Sequence, residues 1–219
     1  MAQDRLAGVE LGGTKCVCVL ATSAGEILAQ ERVDTEAPDV TLPKIQQILR
    51  QWFGGGEAIR ALGIASFGPV DIDRTSAQWG HIGRTPKPGW TGVGIAQALS
   101  GGIGVPVALD TDVNGAAMAE MRWGAAAGLS DYAYVTIGTG VGVGLVVDGA
   151  PICGFGHAEL GHMRIARVPG DTWPGSCPYH GDCVEGLAAG PAISQRAGKR
   201  AGLIAVDDPI WQTVGPVSY

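Results

Sequence analysis

The sequence predicts an α/β fold. Short apolar runs end in Gly or other turn residues, a helical spacing of Ile45, Ile48, Leu49 and Trp52 lies between two of them, and a unit of strand, Gly/Thr turn, strand occurs twice. The 219 residues suit one large domain or two small ones, and a hydrophobic share of 46% is enough for a sizeable core.

Taken in order, Leu6 to Leu20 reads as strand, Gly turn, strand, and Ile27 to Val33 as a third strand. Leu42 to Phe53 carries the helical spacing, and Ile59 to Ala65 is a short strand closed by Phe67-Gly68-Pro69. Trp79 to Gly89, with Pro86 and Pro88, reads as loop. Gly92 to Leu99 reads as helix, Val105 to Leu109 as strand, and the Ala- and Met-rich Gly115 to Ala127 as helix. Tyr132 to Gly149 is again strand, Gly turn, strand; Leu160 to Cys183 is irregular; Gly190 to Ala201 is helical.

Composition excludes some functions. The formal charge of −6 argues against a nucleic-acid surface, which needs clustered Lys and Arg, but not against a nucleotide held by backbone N–H groups. Met1 to Leu6 mixes both charge signs without an apolar run, so no secretory leader is expected, and no stretch of 18 apolar residues suggests a membrane span. Five Cys are an odd number and do not suggest a secreted disulfide framework; a reducing cytoplasm is the expected location.

Three constellations bear on chemistry. The turns Gly12-Gly13-Thr14-Lys15 and Gly138-Thr139-Gly140 expose backbone where only Gly allows close approach to an oxyanion, and Thr14 and Thr139 add hydroxyls. Two such turns suit one polyphosphate gripped from two sides; two unrelated hairpins is the alternative. Neither turn is a Walker A loop or a dinucleotide fingerprint. Next, the strand Val107 to Leu109 ends in Asp110, Asp112 and Asn114 ahead of a helix. Either Asp112 or Asn114 merely caps the helix there, or the Asp112 carboxylate takes a proton from a substrate hydroxyl. Third, His162, Cys177, His180 and Cys183 form a Cys2His2 set that suits a structural Zn2+, with free thiols and surface His as the alternative. Glu159 and Glu185 flank it, either as acceptors for sugar hydroxyls or as solvated surface acids. Cys16, Cys18 and Cys153 read as small buried hydrophobes.

Together these residues resemble the ROK family of sugar kinases. The first phosphate loop of that family is similar to Glu10-Leu11-Gly12-Gly13-Thr14-Lys15, and its second to Ile137-Gly138-Thr139-Gly140-Val141-Gly142. Its catalytic Asp falls on Asp112, its sugar and zinc segment on Glu159-Leu160-Gly161-His162, and its Cys-rich knuckle on Cys177 to Glu185. Thr111-Asp112, the knuckle Cys-Pro-Tyr-His-Gly-Asp-Cys, and Gly80-His81-Ile82 with Thr85-Pro86-Lys87-Pro88-Gly89-Trp90 are similar to the bacterial fructokinase branch. The resemblance spans Gly8 to Trp211.

The resemblance implies an actin-like (ribonuclease H-like) ATPase fold, with two α/β domains, residues 1–113 and 114–219, around a cleft. It implies ATP with Mg2+, a structural Zn2+, and a hexose, D-fructose first, phosphorylated with Asp112 as base. Glu159, His162 and Glu185 would hold the sugar, with His162 also on the zinc. Family members continue beyond Trp211 with helices, a strand and a Gly-rich segment against the adenosine, so the second domain is expected to be incomplete and this chain to be a poor kinase. The resemblance allows a homodimer. Rival readings are a zinc-bearing sugar-binding remnant without kinase activity and a kinase for glucose, mannose or N-acetylmannosamine. A repressor of the same family would need an N-terminal helix-turn-helix, for which there is no room before the first strand.

Overall fold

The structure is a computed structural model and describes residues 4–56, 58–153 and 158–214. The expected end of the chain, Gly215 to Tyr219, lies outside the described residues.

Strands β1 (Arg5–Leu11), β2 (Lys15–Thr22), β3 (Ile27–Asp34), β4 (Ile59–Ser66) and β5 (Val107–Thr111) form one sheet in the order β3-β2-β1-β4-β5. β1 runs antiparallel to β2 and parallel to β4, and β4 runs parallel to β5. A meander of three strands followed by parallel crossovers is the ribonuclease H-like arrangement expected of an actin-like ATPase. Alternation explains the register. In β2, Cys16, Cys18, Leu20 and Thr22 all point inward, and the intervening residues do not.

Helix α1 (Pro38–Gly54) starts on a Pro, whose missing N–H costs nothing in the first turn. It buries Leu42, Ile45 and Leu49 against the sheet, with Ile48 and Trp52 partly buried beside them. The segment read as loop is irregular but anchored: the Trp90 side chain is fully buried, and its Nε1 donates to the Glu36 carbonyl at 3.0 Å. Helix α2 (Ile95–Ser100) starts later than expected, after Gly92 and its left-handed backbone.

Helix α3 (Asp112–Trp123) starts three residues earlier than expected, because the Thr111 hydroxyl caps it by accepting from Asn114 N–H at 3.2 Å. It stops at Gly124, so Ala125 to Ala127 fall outside it. Gly115 lets it lie close to β4; a Cβ there would stand 3.0 Å from Ala65 Cβ.

The chain continues through β6 (Tyr132–Ile137), β7 (Val141–Val147) and the two-residue β8 (Ala150–Pro151), neighbours in that order. Strand, turn, strand, turn, strand thus occurs twice, as the internal similarity implied. Short helices α4 (Val184–Ala188), α5 (Gly190–Ala197) and α6 (Trp211–Val214) follow. α4 lies in sequence beyond the stretch read as irregular, and α5 ends at Gly198, in left-handed backbone, before Ala201. Cys153 is exposed, which corrects the expectation of a buried thiol: it lies two residues beyond the short β8, outside the strand pairing.

Contacts group the chain into two compact units. The first runs to Tyr132 and takes in a segment beginning at Val146; the second contains Ala133–Leu145 and the residues from Ala158 onward. Helix α3, near whose start the expected boundary at residues 113 and 114 falls, packs on β4 and β5 and groups with the first unit. Among the described residues no helix is long and apolar enough to cross a membrane.

Candidate active site

In the first unit, register aligns the strand ends that carry the predicted residues. Leu11 pairs with Ser66, and Ser66 with Thr111, so the first Gly/Thr turn and Asp112 leave the sheet at the same edge. At a strand spacing of about 4.8 Å, the ends of β1 and β5 lie roughly 10 Å apart. The carboxyl edge of parallel strands is where ligands bind in open α/β sheets.

The first turn is closed by Gly12 N–H donating to Lys15 O at 3.1 Å. Gly12 tolerates this only without a side chain, since a Cβ would stand 2.5 Å from that carbonyl. Thr35, just past β3, braces the turn: its hydroxyl donates to Gly12 O at 2.8 Å and its N–H to Thr14 O at 3.0 Å. Gly13, Thr14 and Lys15 are exposed. Beneath them, burial pushes the Cys16 thiol above its ordinary value and that of Cys18 up to about 12, so both behave as inert core residues.

Asp112 is the first residue of α3, and its Oδ1 accepts from Val113 N–H at 2.9 Å. It is not the cap of the helix, because Thr111 is. Asp110 instead secures the helix start, its Oδ1 accepting from Asn114 Nδ2 and from Thr111 N–H, both at 2.8 Å.

In the second unit, Gly138 N–H donates to Gly140 O at 2.9 Å, and Gly138 O accepts from Gly190 N–H at 2.8 Å at the start of α5. Gly138 and Thr139 are exposed. Glu185 meets this second turn directly: its Oε2 accepts from Val141 N–H at 3.1 Å, and a Cβ on Gly140 would stand 2.7 Å from that oxygen. Its other oxygen lies 4.0 Å from His162 Nδ1.

The Cys2His2 set does converge. One potential ligand atom from each of His162, Cys177, His180 and Cys183 lies within 4.8 Å of the others. His162 Nδ1 stands 3.7 Å from Cys177 Sγ and 3.6 Å from Cys183 Sγ, and His180 Nδ1 stands 3.8 Å from Cys177 Sγ. Zn–N and Zn–S bonds of about 2.0 and 2.3 Å in a tetrahedron set N···S edges of roughly 3.6 Å, so the set fits zinc. Burial raises the Cys183 thiol, and that sulfur also accepts from Gly186 N–H at 3.4 Å as the cap of α4.

With Nδ1 toward the sulfurs, His162 turns Nε2 toward Glu159, whose Oε2 is 3.9 Å away. Glu159 is half-exposed and takes a left-handed backbone, φ 38°, uncommon for a residue with a side chain. The 3-10 turn Leu160–His162 that follows packs against the second Gly/Thr turn through Gly161, where a Cβ would stand 1.9 Å from Val141 O.

Some residues had no role assigned from sequence. Lys87 donates from Nζ to Gly13 O, 74 residues away in the chain. Asp182, inside the knuckle, pairs with Arg164 at 3.4 Å and Arg167 at 3.2 Å. Arg167 also pairs with Asp171, which takes both Nη1 and Nη2 of the buried Arg196.

The comparisons agree with this architecture. The model of the ROK family matches residues 6–211. A fructokinase of Zymomonas mobilis is 46% identical over 193 residues, which are 87% of this chain and 64% of the relative. A glucokinase of Streptomyces coelicolor is 30% identical over 197 residues, 89% of this chain and 59% of the relative. The crystal structure of a ROK family glucokinase from Streptomyces griseus, in complex with glucose and AMPPNP, superposes with a TM-score of 0.71 at 30% identity, covering 88% of this chain and 60% of that one. The chain thus spans roughly two thirds of the length of the relatives it matches. A match over nearly the whole chain, together with the five-stranded sheet and both Gly/Thr turns, places this chain in the ROK family.

Proposed function

We propose that this chain carries the catalytic parts of an ATP-dependent hexose kinase acting on D-fructose to give fructose 6-phosphate. The observation that carries the reading is the shared sheet edge of the first Gly/Thr turn and Asp112. In the reaction, a sugar hydroxyl attacks the γ-phosphorus, its proton passes to the Asp112 carboxylate, and the bond from phosphorus to the ADP oxygen breaks. Each unit carries a Gly/Thr turn whose amides are offered to phosphate oxygens, Gly12 to Lys15 in the first and Gly138 to Gly140 in the second, and Mg2+ bound to the triphosphate would supply charge neutralisation. Glu159, His162 and Glu185 accept or orient sugar hydroxyls. His162, Cys177, His180 and Cys183 would hold a structural Zn2+, which would keep the His162 ring as it stands, with Nδ1 toward the sulfurs and Nε2 toward Glu159.

Fructose is preferred over glucose because identity to the fructokinase is higher than to the glucokinase. The test is ATP-dependent turnover of fructose, glucose, mannose and N-acetylmannosamine side by side, with sugar binding measured in parallel. Fructose as the best substrate supports the reading. Sugar binding without ATP consumption replaces it with the zinc-bearing sugar-binding module.

A further inference from the structure

Lys87 reaches the first Gly/Thr turn with a side-chain hydrogen bond, from outside the turn that contains Lys15. Lys15 is the first residue of β2, exposed, with its backbone paired to Asp34. Lys87 reaches the turn from a distant segment that is held in place at several points. Trp90, three residues on, is fully buried, hydrogen-bonded through Nε1 to Glu36 O, and edge-on to Phe67 at 5.2 Å between ring centroids. Pro86 and Pro88 fix φ on both sides of Lys87. Thr85 N–H donates to the Thr91 hydroxyl at 3.3 Å, and Trp90 N–H to Lys87 O at 3.3 Å, closing the segment on itself. From this frame the partly buried Lys87 passes its ammonium over the Phe67 ring, 5.6 Å from the centroid, and donates to Gly13 O.

The carbonyls of the turn are thereby occupied. Gly12 O and Thr14 O are taken by Thr35, and Gly13 O by Lys87. A carbonyl left open there would repel an oxyanion. In a trans peptide the C=O and the following N–H point in opposite directions. A cation on Gly13 O therefore holds the Gly13–Thr14 peptide with the Thr14 N–H directed away from it, and polarises that N–H as a donor. Among the described residues no acceptor is hydrogen-bonded to the Thr14 N–H.

We infer that Lys87 is a positioning residue for polyphosphate binding: it orients the Gly13–Thr14 peptide and places a positive charge behind the amide that meets a phosphate oxygen. The inference rests on the nucleotide-binding part of the proposed function and deepens it. A structural tie between two loops would serve equally with any donor; a polarising role requires charge and affects polyphosphate selectively.

The experiment is titration calorimetry of the full chain and of Lys87→Met, Lys87→Gln, Lys87→Arg and Lys15→Met with MgATP, inorganic tripolyphosphate and adenosine. Lys87→Met and Lys87→Gln are expected to weaken MgATP and tripolyphosphate about 10- to 100-fold, the range of one hydrogen bond to a charged group, with adenosine unchanged. Lys87→Arg is expected to recover most of the loss, and Lys15→Met to lose less than Lys87→Met. Polyphosphate affinity unchanged in Lys87→Met overturns the inference. So does equal weakening of adenosine, unfolding of all three Lys87 variants, or a parent that binds no polyphosphate. A parent that binds MgATP but phosphorylates no hexose refutes the kinase reading alone and leaves Lys87 standing.

Discussion

Replacing Asp171 with Asn removes the carboxylate that three donors share. Its side chain is 8% exposed and that of Arg196 9%, with Arg196 donating from Nη1 at 3.1 Å and from Nη2 at 2.8 Å. Arg167 adds a contact at 3.1 Å, and Trp173 N–H another at 3.1 Å. Burial alone would raise the Asp171 carboxyl, but these hydrogen bonds and the Arg196 charge outweigh it and hold it below the usual carboxylate range. Breaking a buried pair from one side costs about 3–5 kcal/mol, because the remaining cation stays desolvated. Arg167 keeps Asp182 as a second partner, so Arg196 bears most of the loss, and the lower end, about 3 kcal/mol, is expected. That is a large part of a typical net stability of about 5–15 kcal/mol. With a urea m-value of about 1–3 kcal/mol/M, the midpoint should fall by roughly 1–3 M. Urea unfolding followed by tryptophan fluorescence, with Trp173 next to the site as reporter, measures it. Replacing Asp171 and Arg196 together with Leu and Met should recover much of the loss, since neither charge then stays buried alone. A shift of less than about 0.5 M for Asp171→Asn would refute the reasoning.

The same carboxylate predicts acid sensitivity. Its folded value is depressed, so its stabilisation is present above the ordinary Asp value, about 3.9, and is lost as pH falls further through the folded value; Asp171→Asn should flatten the stability profile in that window. Asp112→Asn is expected to keep hexose affinity and lower turnover about 10²–10⁴-fold; turnover equal to the parent's would remove Asp112 from the role of base. Metal analysis of purified protein should find one zinc per chain, and Cys183→Ser or a strong chelator should release it and weaken hexose binding; no zinc after refolding with excess Zn2+ would exclude the site. Gly161→Ala should disrupt the sugar segment, because its Cβ meets Val141 O at 1.9 Å and one of the two backbones must move; the expected cost is about 1–3 kcal/mol with reduced hexose affinity, and calorimetry with unchanged affinity would contradict it.

The sequence by itself determined what local chemistry controls. Strict alternation in β2 carries Cys16 and Cys18 to the core, and the spacing of Leu42, Ile45 and Leu49 makes one buried helix face. Gly-Gly-Thr and Gly-Thr-Gly mark turns because backbone closure there tolerates no side chain, as at Gly12. The Cys and His spacing named four side chains that do meet, since Cys177 to Cys183 are close enough in the chain for the knuckle itself to gather three of them. Only the tertiary structure decided the contacts made across long separations. Strand register brings the first turn and Asp112 to one edge, and it leaves Thr111, not Asp112, as the helix cap. The bond from Val141 N–H to Glu185 closes over 44 residues and that from Lys87 to Gly13 over 74, so no local propensity or spacing encodes either one. The Asp171 ladder and the exposed Cys153 belong to the same class: whether a charge is paired or a thiol is covered depends on which elements pack beside it, and that is settled by burial of the whole core rather than by neighbours in the chain.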